Sequence, residues 1–247
     1  MSEGAGQERL LIVLPAYNAA RTLEATLGDI PATLKAELLL VDDASSDETV
    51  ALARRLGLEV LVHAQNRGYG ANQKTCYRAA LERGVTYVAM LHPDRQYDGG
   101  RLPAMLEILQ RGEAELVLGS RFLSRDPRHD GMPSWRYWGN RGLTWVQNGV
   151  YGQALSEYHT GLRAYRADAL ARLPLEACSD DFLFDQELLA YALLEGMRIK
   201  EVETSCRYEQ SSSSISWVGS IRYGLGSLKV LGQYLGKKMI WQDRKEG

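Results

Sequence analysis

The sequence predicts an α/β protein with a mixed, mainly parallel, Rossmann-like sheet that carries helices on both faces. The first observation is that short apolar segments alternate with amphipathic stretches through the first half of the 247-residue chain. Buried parallel strands are almost continuously apolar, and their alternation with helices is typical of βαβ units. The second observation is that the apolar segments end in polar motifs. Right-handed crossovers bring such ends to one edge of the sheet, where ligands bind.

Five apolar segments predict the strands of the first half, and the amphipathic stretches between them predict four helices. The strands are Leu10–Pro15, Leu38–Val41, Leu58–Val62, Val85–Leu91 and Ala114–Leu118. The helices are Ala19–Leu27, Thr49–Leu56, Ala71–Arg83 and Arg101–Arg111. This order gives successive βαβ connections.

The pattern changes after Gly119. Two prolines and two glycines within residues 124–140 predict a loop. Two further helices, two further strands and a serine-rich loop over residues 211–214 are predicted beyond it. The helices are Arg141–Tyr151 and Phe182–Leu194, and the strands are Leu162–Tyr165 and Ile199–Thr204.

The last segment of the chain is amphipathic. Its apolar residues recur at spacings of three and four, which is the pattern of a helical stripe. The stripe consists of Trp217, Ile221, Leu225, Leu228, Leu231, Leu235 and Met239, and the basic residues outside it are Arg222, Lys229, Lys237 and Lys238. Two interpretations stay open: a helix packed on the core, or a basic helix lying on an anionic membrane.

Composition limits the classes of function. The net charge of −2 offers no broad basic surface, so no nucleic-acid partner is expected. The three cysteines have no Cys-x-x-Cys spacing, which argues against a disulfide framework or structural zinc and favours a reducing, cytoplasmic location. The first residues show no signal-peptide pattern, and no apolar run approaches the ~20 residues of a membrane-spanning helix.

The first predicted strand ends in Leu14-Pro15-Ala16-Tyr17-Asn18. A dinucleotide-binding fold would need glycines here, because its backbone must approach a pyrophosphate closely. No phosphate-loop motif occurs in the chain either. Pro15 and Tyr17 offer a flat apolar surface that suits a nucleobase. The alternative is an ordinary strand-to-helix turn with Asn18 as the helix cap.

The second predicted strand ends in Val41-Asp42-Asp43. Ser46 or Asp47 can cap the following helix, so capping explains the later polar residues but not this acidic pair. A carboxylate at the ligand edge can accept a hydrogen bond from a base N–H or a ribose hydroxyl, and Asp43 is the candidate.

The segment Asn66–Lys74 has two glycines just before a predicted helix. Backbone N–H groups at such a position can face a phosphate. Arg67 and Lys74 are candidates for neutralising a diphosphate, and the alternative is that both are simply solvated.

The fourth predicted strand ends in His92-Pro93-Asp94. Mg²⁺ usually takes one or two protein carboxylates together with substrate phosphates. Asp94 and Gln96 can supply such a partial shell, and the metal would act as a Lewis acid on a leaving diphosphate. The structural alternative is a turn with Pro93 in its second position. Arg121 closes the fifth strand and is a candidate phosphate clamp.

Asp185 belongs to a cluster of acids and aromatic residues, Ser179–Glu187. An acceptor hydroxyl needs a general base, and a carboxylate can serve. The alternative is a helix-capping cluster, since Asp180 and Asp181 suit a helix N-terminus. Both interpretations stay open.

Together the motifs resemble the inverting family-2 glycosyltransferases of the GT-A fold, and most closely their polyprenyl-phosphate mannosyl- and glucosyltransferase branch. The matching segments are Leu14–Asn18, Val41–Ser45, Asn66–Gly70, Asp94–Gln96 and Gly119–Arg121, in the family's order. The resemblance implies a domain over residues 1–210, with a nucleotide-binding half at about 9–122 and an acceptor half at about 123–210. The amphipathic helical segment, residues 211–247, follows this domain.

The resemblance also implies roles for individual residues. Nucleotide and phosphate contacts are implied for Pro15, Tyr17, Val41, Asp43, Pro93 and Arg121. Metal and diphosphate contacts are implied for Asp94 and Gln96.

Two departures from the family pattern concern the metal and the acceptor. The family usually has Asp-x-Asp where this chain has His92-Pro93-Asp94, so a carboxylate is missing, and His92 is a candidate Mn²⁺ ligand or ribose partner. Arg207 matches an arginine that the lipid-phosphate branch carries late in the chain. A serine run, Ser211–Ser214, stands where that branch has a lysine.

We therefore expect transfer of a hexose, with inversion, from a UDP- or GDP-sugar to a polyprenyl phosphate or another lipid-linked acceptor, with Mg²⁺ or Mn²⁺ as cofactor. One alternative is a saccharide or small-molecule hydroxyl as acceptor, with Asp185 as the base. Another is a degenerate protein that binds nucleotide sugars without turnover. A nucleotidyltransferase is disfavoured, because the first turn lacks a glycine-rich basic loop. The expected location is cytoplasmic, with peripheral contact at the inner face of the membrane as an option.

Overall fold

The computed structural model describes residues 8–124, 126–207 and 217–246, and in the last helix it describes the side chains of residues 219–237. The predicted serine-rich loop, the proposed boundary at residue 210, and the side chains of Trp217, Lys238 and Met239 lie outside these residues.

Seven strands of the described residues form one mixed sheet. They are β1 (Leu10–Ala16), β2 (Glu37–Asp42), β3 (Glu59–Val62), β4 (Tyr87–Met90), β5 (Leu116–Ser120), β6 (Arg163–Arg166) and β7 (Ile199–Glu203). The order is β3-β2-β1-β4-β6-β5-β7. Only β6 runs antiparallel to its neighbours, β4 and β5, and the other pairs are parallel. The predicted α/β class and mainly parallel sheet are confirmed.

Eight α-helices accompany the sheet in the described part of the chain. They are α1 (Leu23–Gly28), α2 (Thr49–Arg55), α3 (Tyr69–Glu82), α4 (Leu102–Gln110), α5 (Ser134–Tyr151), α6 (Ala167–Leu170), α7 (Phe184–Leu194) and α8 (Trp217–Glu246).

The alternation of side chains along β1 divides the core into two layers. Leu11 and Val13 pack in a cluster with residues of α3, α7 and α8, whereas Ile12 and Leu14 pack with residues of α1, α2 and α4. Successive side chains of a strand point to opposite faces, so a strand that is apolar throughout must be covered on both sides. This layering leaves the carboxyl edge of the parallel strands uncovered by core helices.

The predicted loop over residues 124–140 is wrong in its second part, because α5 begins at Ser134 and runs for 18 residues. Pro133 immediately precedes the helix, with φ −59° and ψ 139°. Proline is tolerated at a helix start, where its missing N–H has no intrahelical partner, and one interior glycine costs only about 1 kcal/mol. Pro133 and Gly139 therefore do not prevent this helix.

The apolar stripe predicted for the last segment lies on a helix, α8, but most of its described side chains do not face the core. Leu225 is 65% exposed, whereas Val230, Leu231 and Tyr234 are buried. Gly226 allows close packing, since a Cβ there would lie 2.6 Å from the Leu183 side chain. Within the described ranges, no helix combines the length and the apolar character needed to cross a bilayer.

Candidate functional site

A cleft of about 1320 Å³ opens at the carboxyl edge of the parallel strands. Its walls come from the turns after β1, β2, β4 and β5, the start of α3, and parts of α5, α7 and α8. Nine residues singled out from the sequence line it: Pro15, Tyr17, Asp43, His92, Pro93, Asp94, Gln96, Arg121 and Asp185. The sheet topology thus brings together motifs that are far apart in the chain.

Four other candidates do not line this cleft. Val41 is fully buried in the core, and its carbonyl accepts a hydrogen bond from Asn72. Lys74 Nζ is 2.7 Å from Asp180 Oδ1 and also donates to the Cys178 carbonyl. Arg207 Nη1 donates to Asp29 Oδ2 at 2.5 Å, and the Arg67 side chain is exposed. Their predicted ligand roles stay predictions without support from the cleft.

Backbone strain concentrates at the cleft edge. Among the described residues, the non-glycine residues with positive φ are Asn18 (52°), Ala44 (59°) and Arg95 (59°). They follow β1, β2 and β4 respectively. Such conformations cost of order 1–3 kcal/mol each and cluster at functional sites, where surrounding contacts hold them. The strained turns therefore mark this edge independently of any motif.

The alternative interpretation of the first turn, in which Asn18 caps the following helix, is wrong. Thr22 occupies the N-cap position, and the Asn18 side chain instead accepts a hydrogen bond from the Ser46 amide at 2.9 Å. The Asn18 amide in turn donates to Ser45 Oγ at 2.8 Å. These bonds join the turns after β1 and β2, beside the Tyr17 ring, which is 56% exposed.

Asp43 is a buried carboxylate that organises the neighbouring loop. Its Oδ1 accepts from the Arg67 amide at 2.8 Å and its Oδ2 from the Gly68 amide at 2.9 Å. His63 Nδ1 lies 2.7 Å from Oδ1. Asp43 therefore positions the start of α3 as well as lining the cleft.

The residues around Asp94 fit a metal only as a partial shell. Within the described ranges, no group of three His, Cys, Asp or Glu side chains is arranged to hold a metal ion. Asp94 Oδ1 accepts from the Gln96 amide at 3.0 Å, and Asp94, Gln96 and His92 all line the cleft. One carboxylate with further oxygen and nitrogen donors suits Mg²⁺ or Mn²⁺ if substrate phosphates complete the coordination.

Arg121 lines the cleft, but its guanidinium is already paired. It forms an ion pair with the fully buried Glu157, with Nε 3.0 Å from Oε1, and it donates to the His159 carbonyl at 2.8 Å. Asn140 also donates to Glu157, at 2.9 Å. A phosphate bound by Arg121 would therefore share this cation with a carboxylate.

Asp185 lies at the cleft within a buried network. Its Oδ2 accepts from the Tyr69 hydroxyl at 2.7 Å, and its Oδ1 lies 3.6 Å from Arg163 Nε. Burial opposes the charge of Arg163, but Asp185 and two nearby tyrosines outweigh it and raise the pKa of the guanidinium. Burial and Asp185 also raise the pKa of the Tyr69 phenol well above its ordinary value. A carboxylate held by these partners is poorly available as a general base.

His159 and Tyr223 are cleft residues that the sequence analysis missed. His159 Nδ1 lies 3.1 Å from the Tyr223 hydroxyl, which connects α8 to the cleft. Burial, with smaller contributions from Arg121 and Arg163, lowers the pKa of His159 to about 3. Neither residue belongs to a recognisable motif. The one sequence signal for Tyr223 is that it is an aromatic residue within the amphipathic segment.

An exposed apolar surface adjoins the cleft, and we call it the rim surface. It consists of Trp135, Trp138 and Trp145 on α5 and Ile221, Leu225 and Leu228 on α8, all of them at least 41% exposed. The two helices are in contact near Gly224, where a Cβ would lie 3.8 Å from Leu143. Helix α5 contains two arginines and no acid, so the surface is apolar and locally basic.

Comparison with known proteins identifies the family. The Glycosyl transferase family 2 profile matches residues 11–173. The chain is 32% identical over 206 residues to an undecaprenyl-phosphate mannosyltransferase of Micrococcus luteus, covering 78% of this chain and 82% of the relative. It is 26% identical over 216 residues to a polyprenol monophosphomannose synthase of Mycolicibacterium smegmatis, covering 81% of both chains.

A solved structure supports the fold. Glucosyl-3-phosphoglycerate synthase of Mycobacterium tuberculosis, in complex with Mn²⁺, UDP and glucosyl-3-phosphoglycerate, aligns with a TM-score of 0.63 at 18% identity. The alignment covers 94% of this chain and 80% of the synthase. At this identity the likeness concerns the fold alone, which is of the GT-A type. From its sequence match, this chain belongs to glycosyl transferase family 2.

Proposed function

We propose that this glycosyltransferase moves a hexose, with inversion, from a UDP- or GDP-sugar to a polyprenyl phosphate. The observation that carries the proposal is that the cleft joins the polar strand-end residues to the apolar rim surface, of which Trp135, Ile221, Leu225 and Leu228 line the cleft themselves. A polyprenyl phosphate has an anionic head and a long apolar chain, and the polar strand ends of the cleft and the rim surface offer one matching environment for each. The relatives named undecaprenyl-phosphate mannosyltransferase and polyprenol monophosphomannose synthase support the same acceptor class.

The state of Asp185 also favours a phosphate acceptor over a hydroxyl. Its carboxylate is engaged by Tyr69 and lies beside the buried Arg163. An acceptor hydroxyl needs a base with free access to its proton. A phosphate oxygen is already a nucleophile and needs none, so an engaged Asp185 is compatible with transfer.

In this proposal the residues of the donor half bind and orient the nucleotide sugar. The exposed ring of Tyr17, together with Pro15, stacks on the base, and Asp43 holds the loop that borders the nucleoside. Asp94, Gln96 and His92 would hold Mg²⁺ or Mn²⁺, which supplies Lewis-acid stabilisation of the leaving diphosphate. Arg121 adds positive charge on the same side of the cleft, shared with Glu157.

The rim surface further supports peripheral contact with an anionic membrane. Exposed tryptophan side chains favour the membrane–water interface, and basic residues beside them favour anionic lipids. Residues 217–242 contain four basic residues and no acid, in a chain whose net charge is −2. Such contact would bring the cleft to the depth of a lipid phosphate.

A transfer assay tests the proposal. The full chain is incubated with radiolabelled UDP-glucose or GDP-mannose and with undecaprenyl phosphate, in Mn²⁺, Mg²⁺ or EDTA. The expected product is label in the organic phase, dependent on the cation and released by mild acid. Transfer only to a soluble saccharide would refute the lipid acceptor, equal transfer in EDTA would refute the metal, and binding without any turnover would favour a degenerate protein.

A further inference from the structure

Three aromatic side chains of the cleft pack in a row, with Tyr69 between His92 and Phe182. The centroid of the Tyr69 ring lies 4.8 Å from that of Phe182, which just precedes α7, and 5.3 Å from that of His92. The Tyr69 and His92 rings are nearly parallel, with an interplanar angle of 7°. A Cβ at position 161 would lie 2.7 Å from the His92 ring, so only glycine fits there. The orientation of the His92 ring is therefore determined by its neighbours.

The hydrogen bonds of the stack determine where the His92 proton resides. The Tyr69 hydroxyl lies 2.7 Å from Asp185 Oδ2 and 3.2 Å from His92 Nε2. As a carboxylate beside Arg163, Asp185 can only accept, so it receives the single proton of the Tyr69 hydroxyl. The Tyr69 oxygen must then accept from His92, which requires a proton on Nε2 and leaves a lone pair on Nδ1.

We propose that Tyr69 and Asp185 are positioning residues that hold the Nε2 proton of His92, so that Nδ1 faces the donor as a lone-pair acceptor. This inference rests on the proposed nucleotide-sugar donor for the identity of the ligand. The Nδ1 lone pair can accept a hydrogen bond from a hydroxyl of the nucleotide sugar, or it can coordinate the divalent cation. In both cases His92 supplies the acceptor that a carboxylate would otherwise supply at this position.

His63 shows the contrasting arrangement. Its Nδ1 lies 2.7 Å from Asp43, and its Nε2 lies 3.0 Å from Thr75 Oγ1, so both ring nitrogens are used inside the protein. His92 lines the cleft, and among the described residues its only ring-nitrogen hydrogen bond is the one to Tyr69. In known metal sites, the group that accepts the other ring N–H of a ligating histidine fixes the orientation and tautomer of the ring, and its mutation typically costs 10–100-fold in metal affinity or activity.

The tautomer is tested by ¹⁵N NMR of the histidine-labelled chain, which contains four histidines. The His92 signals are assigned by their loss in His92→Ala. Wild type is expected to show a proton on Nε2 and an unprotonated Nδ1. Tyr69→Phe keeps the ring stack but removes the hydroxyl, and it should produce a mixture of tautomers. Tyr87→Phe, which removes a hydroxyl bonded to Glu8 on the opposite side of the sheet, should leave the His92 signals unchanged.

Donor binding is tested by a double-mutant cycle. Calorimetry with UDP-glucose and GDP-mannose should show about tenfold weaker binding for Tyr69→Phe in the wild-type background. In the His92→Ala background the same substitution should have no further effect, because its target is gone. An effect seen only with Mn²⁺ identifies the cation as the ligand of Nδ1, and an effect that persists in EDTA identifies a hydroxyl.

Two results would overturn the inference: a proton on Nδ1 in wild type, or an equal loss of affinity from Tyr69→Phe in both backgrounds. Failure of the proposed function gives a different pattern. In that case neither nucleotide sugar binds wild type, while the NMR spectrum still shows the proton on Nε2.

Discussion

The two proposed halves, residues 9–122 for the donor and residues 123–210 for the acceptor, differ in how the side chains at their binding surfaces are held. In the donor half, the cleft residue Asp43 is already saturated by backbone amides, and strained turns are held by side-chain bonds between neighbouring strands. In the acceptor half, Trp138 and Trp145 are 65% and 79% exposed. Contiguous exposed apolar surface on a soluble domain usually marks a binding site. This difference agrees with our proposal that residues 9–122 bind a small polar donor and that the rim surface binds an apolar partner.

The largest expected effect is at Asp94. Asp94→Asn removes the carboxylate proposed for the metal, and it should lower hexose transfer by roughly 10²–10³-fold, the range seen when one electrostatic contact to the transition state is lost. Mn²⁺ binding followed by EPR should weaken in parallel. The matched control is Asp98→Asn, which keeps an oxygen for the Gly100 amide at 2.9 Å and should retain transfer. Full transfer by Asp94→Asn would remove Asp94 from the metal site.

The second prediction concerns the stability of the donor half. Asp43→Asn places an NH₂ group against backbone amides, so a buried donor loses its acceptor, and unfolding free energy should fall by about 1–3 kcal/mol. Urea unfolding measures this loss. Asp168→Asn removes a carboxylate that is 66% exposed and paired with Arg166, and it should cost less than about 1 kcal/mol. Equal costs for both variants would contradict the organising role of Asp43.

The rim surface should show the reverse pattern. Trp138→Ser combined with Leu225→Ser should leave unfolding free energy within about 0.5 kcal/mol, because both side chains are exposed. Co-sedimentation with phosphatidylglycerol vesicles and transfer to undecaprenyl phosphate should each fall about tenfold, since two buried apolar contacts are worth at least 1.4 kcal/mol. Donor binding should not change. Leu56→Ser, at an exposed leucine after α2, is the control, and an equal loss there would refute the rim surface as the membrane contact.

The last prediction concerns the pH dependence of stability. His159 has a pKa of about 3 in the folded chain, lowered from 6.5 by burial and two arginines. The unfolded chain therefore binds a proton that the folded chain does not, and stability falls as pH drops from about 6.5 towards 3. The loss is at most about 1.4 kcal/mol per pH unit. Unfolding curves between pH 4 and 7 should show a shallower slope for His159→Gln, and an unchanged slope would contradict the buried state of His159.

Much of the donor half could be predicted because its signals are local. The five apolar segments correspond to β1–β5 within a few residues, and the polar motifs follow them at the expected edge. The acceptor half was harder. Its antiparallel strand β6 lies between β4 and β5, and α5 begins at Ser134 where prolines and glycines predicted a loop. Such features depend on packing against elements that are distant in the chain, and a short stretch of sequence carries no information about those partners.

The sequence by itself determined the α/β class and the set of motifs at the strand ends, because apolar periodicity and right-handed crossovers act locally. Only the tertiary structure decided what those motifs touch. Tyr69 and Asp185 are 116 residues apart and share one hydrogen bond, and Arg121 finds its counter-ion at Glu157, a residue with no motif of its own. Long-range polar contacts follow from how the layers pack, so the hydrogen-bond and ion-pair partners of each cleft residue are a property of the folded chain.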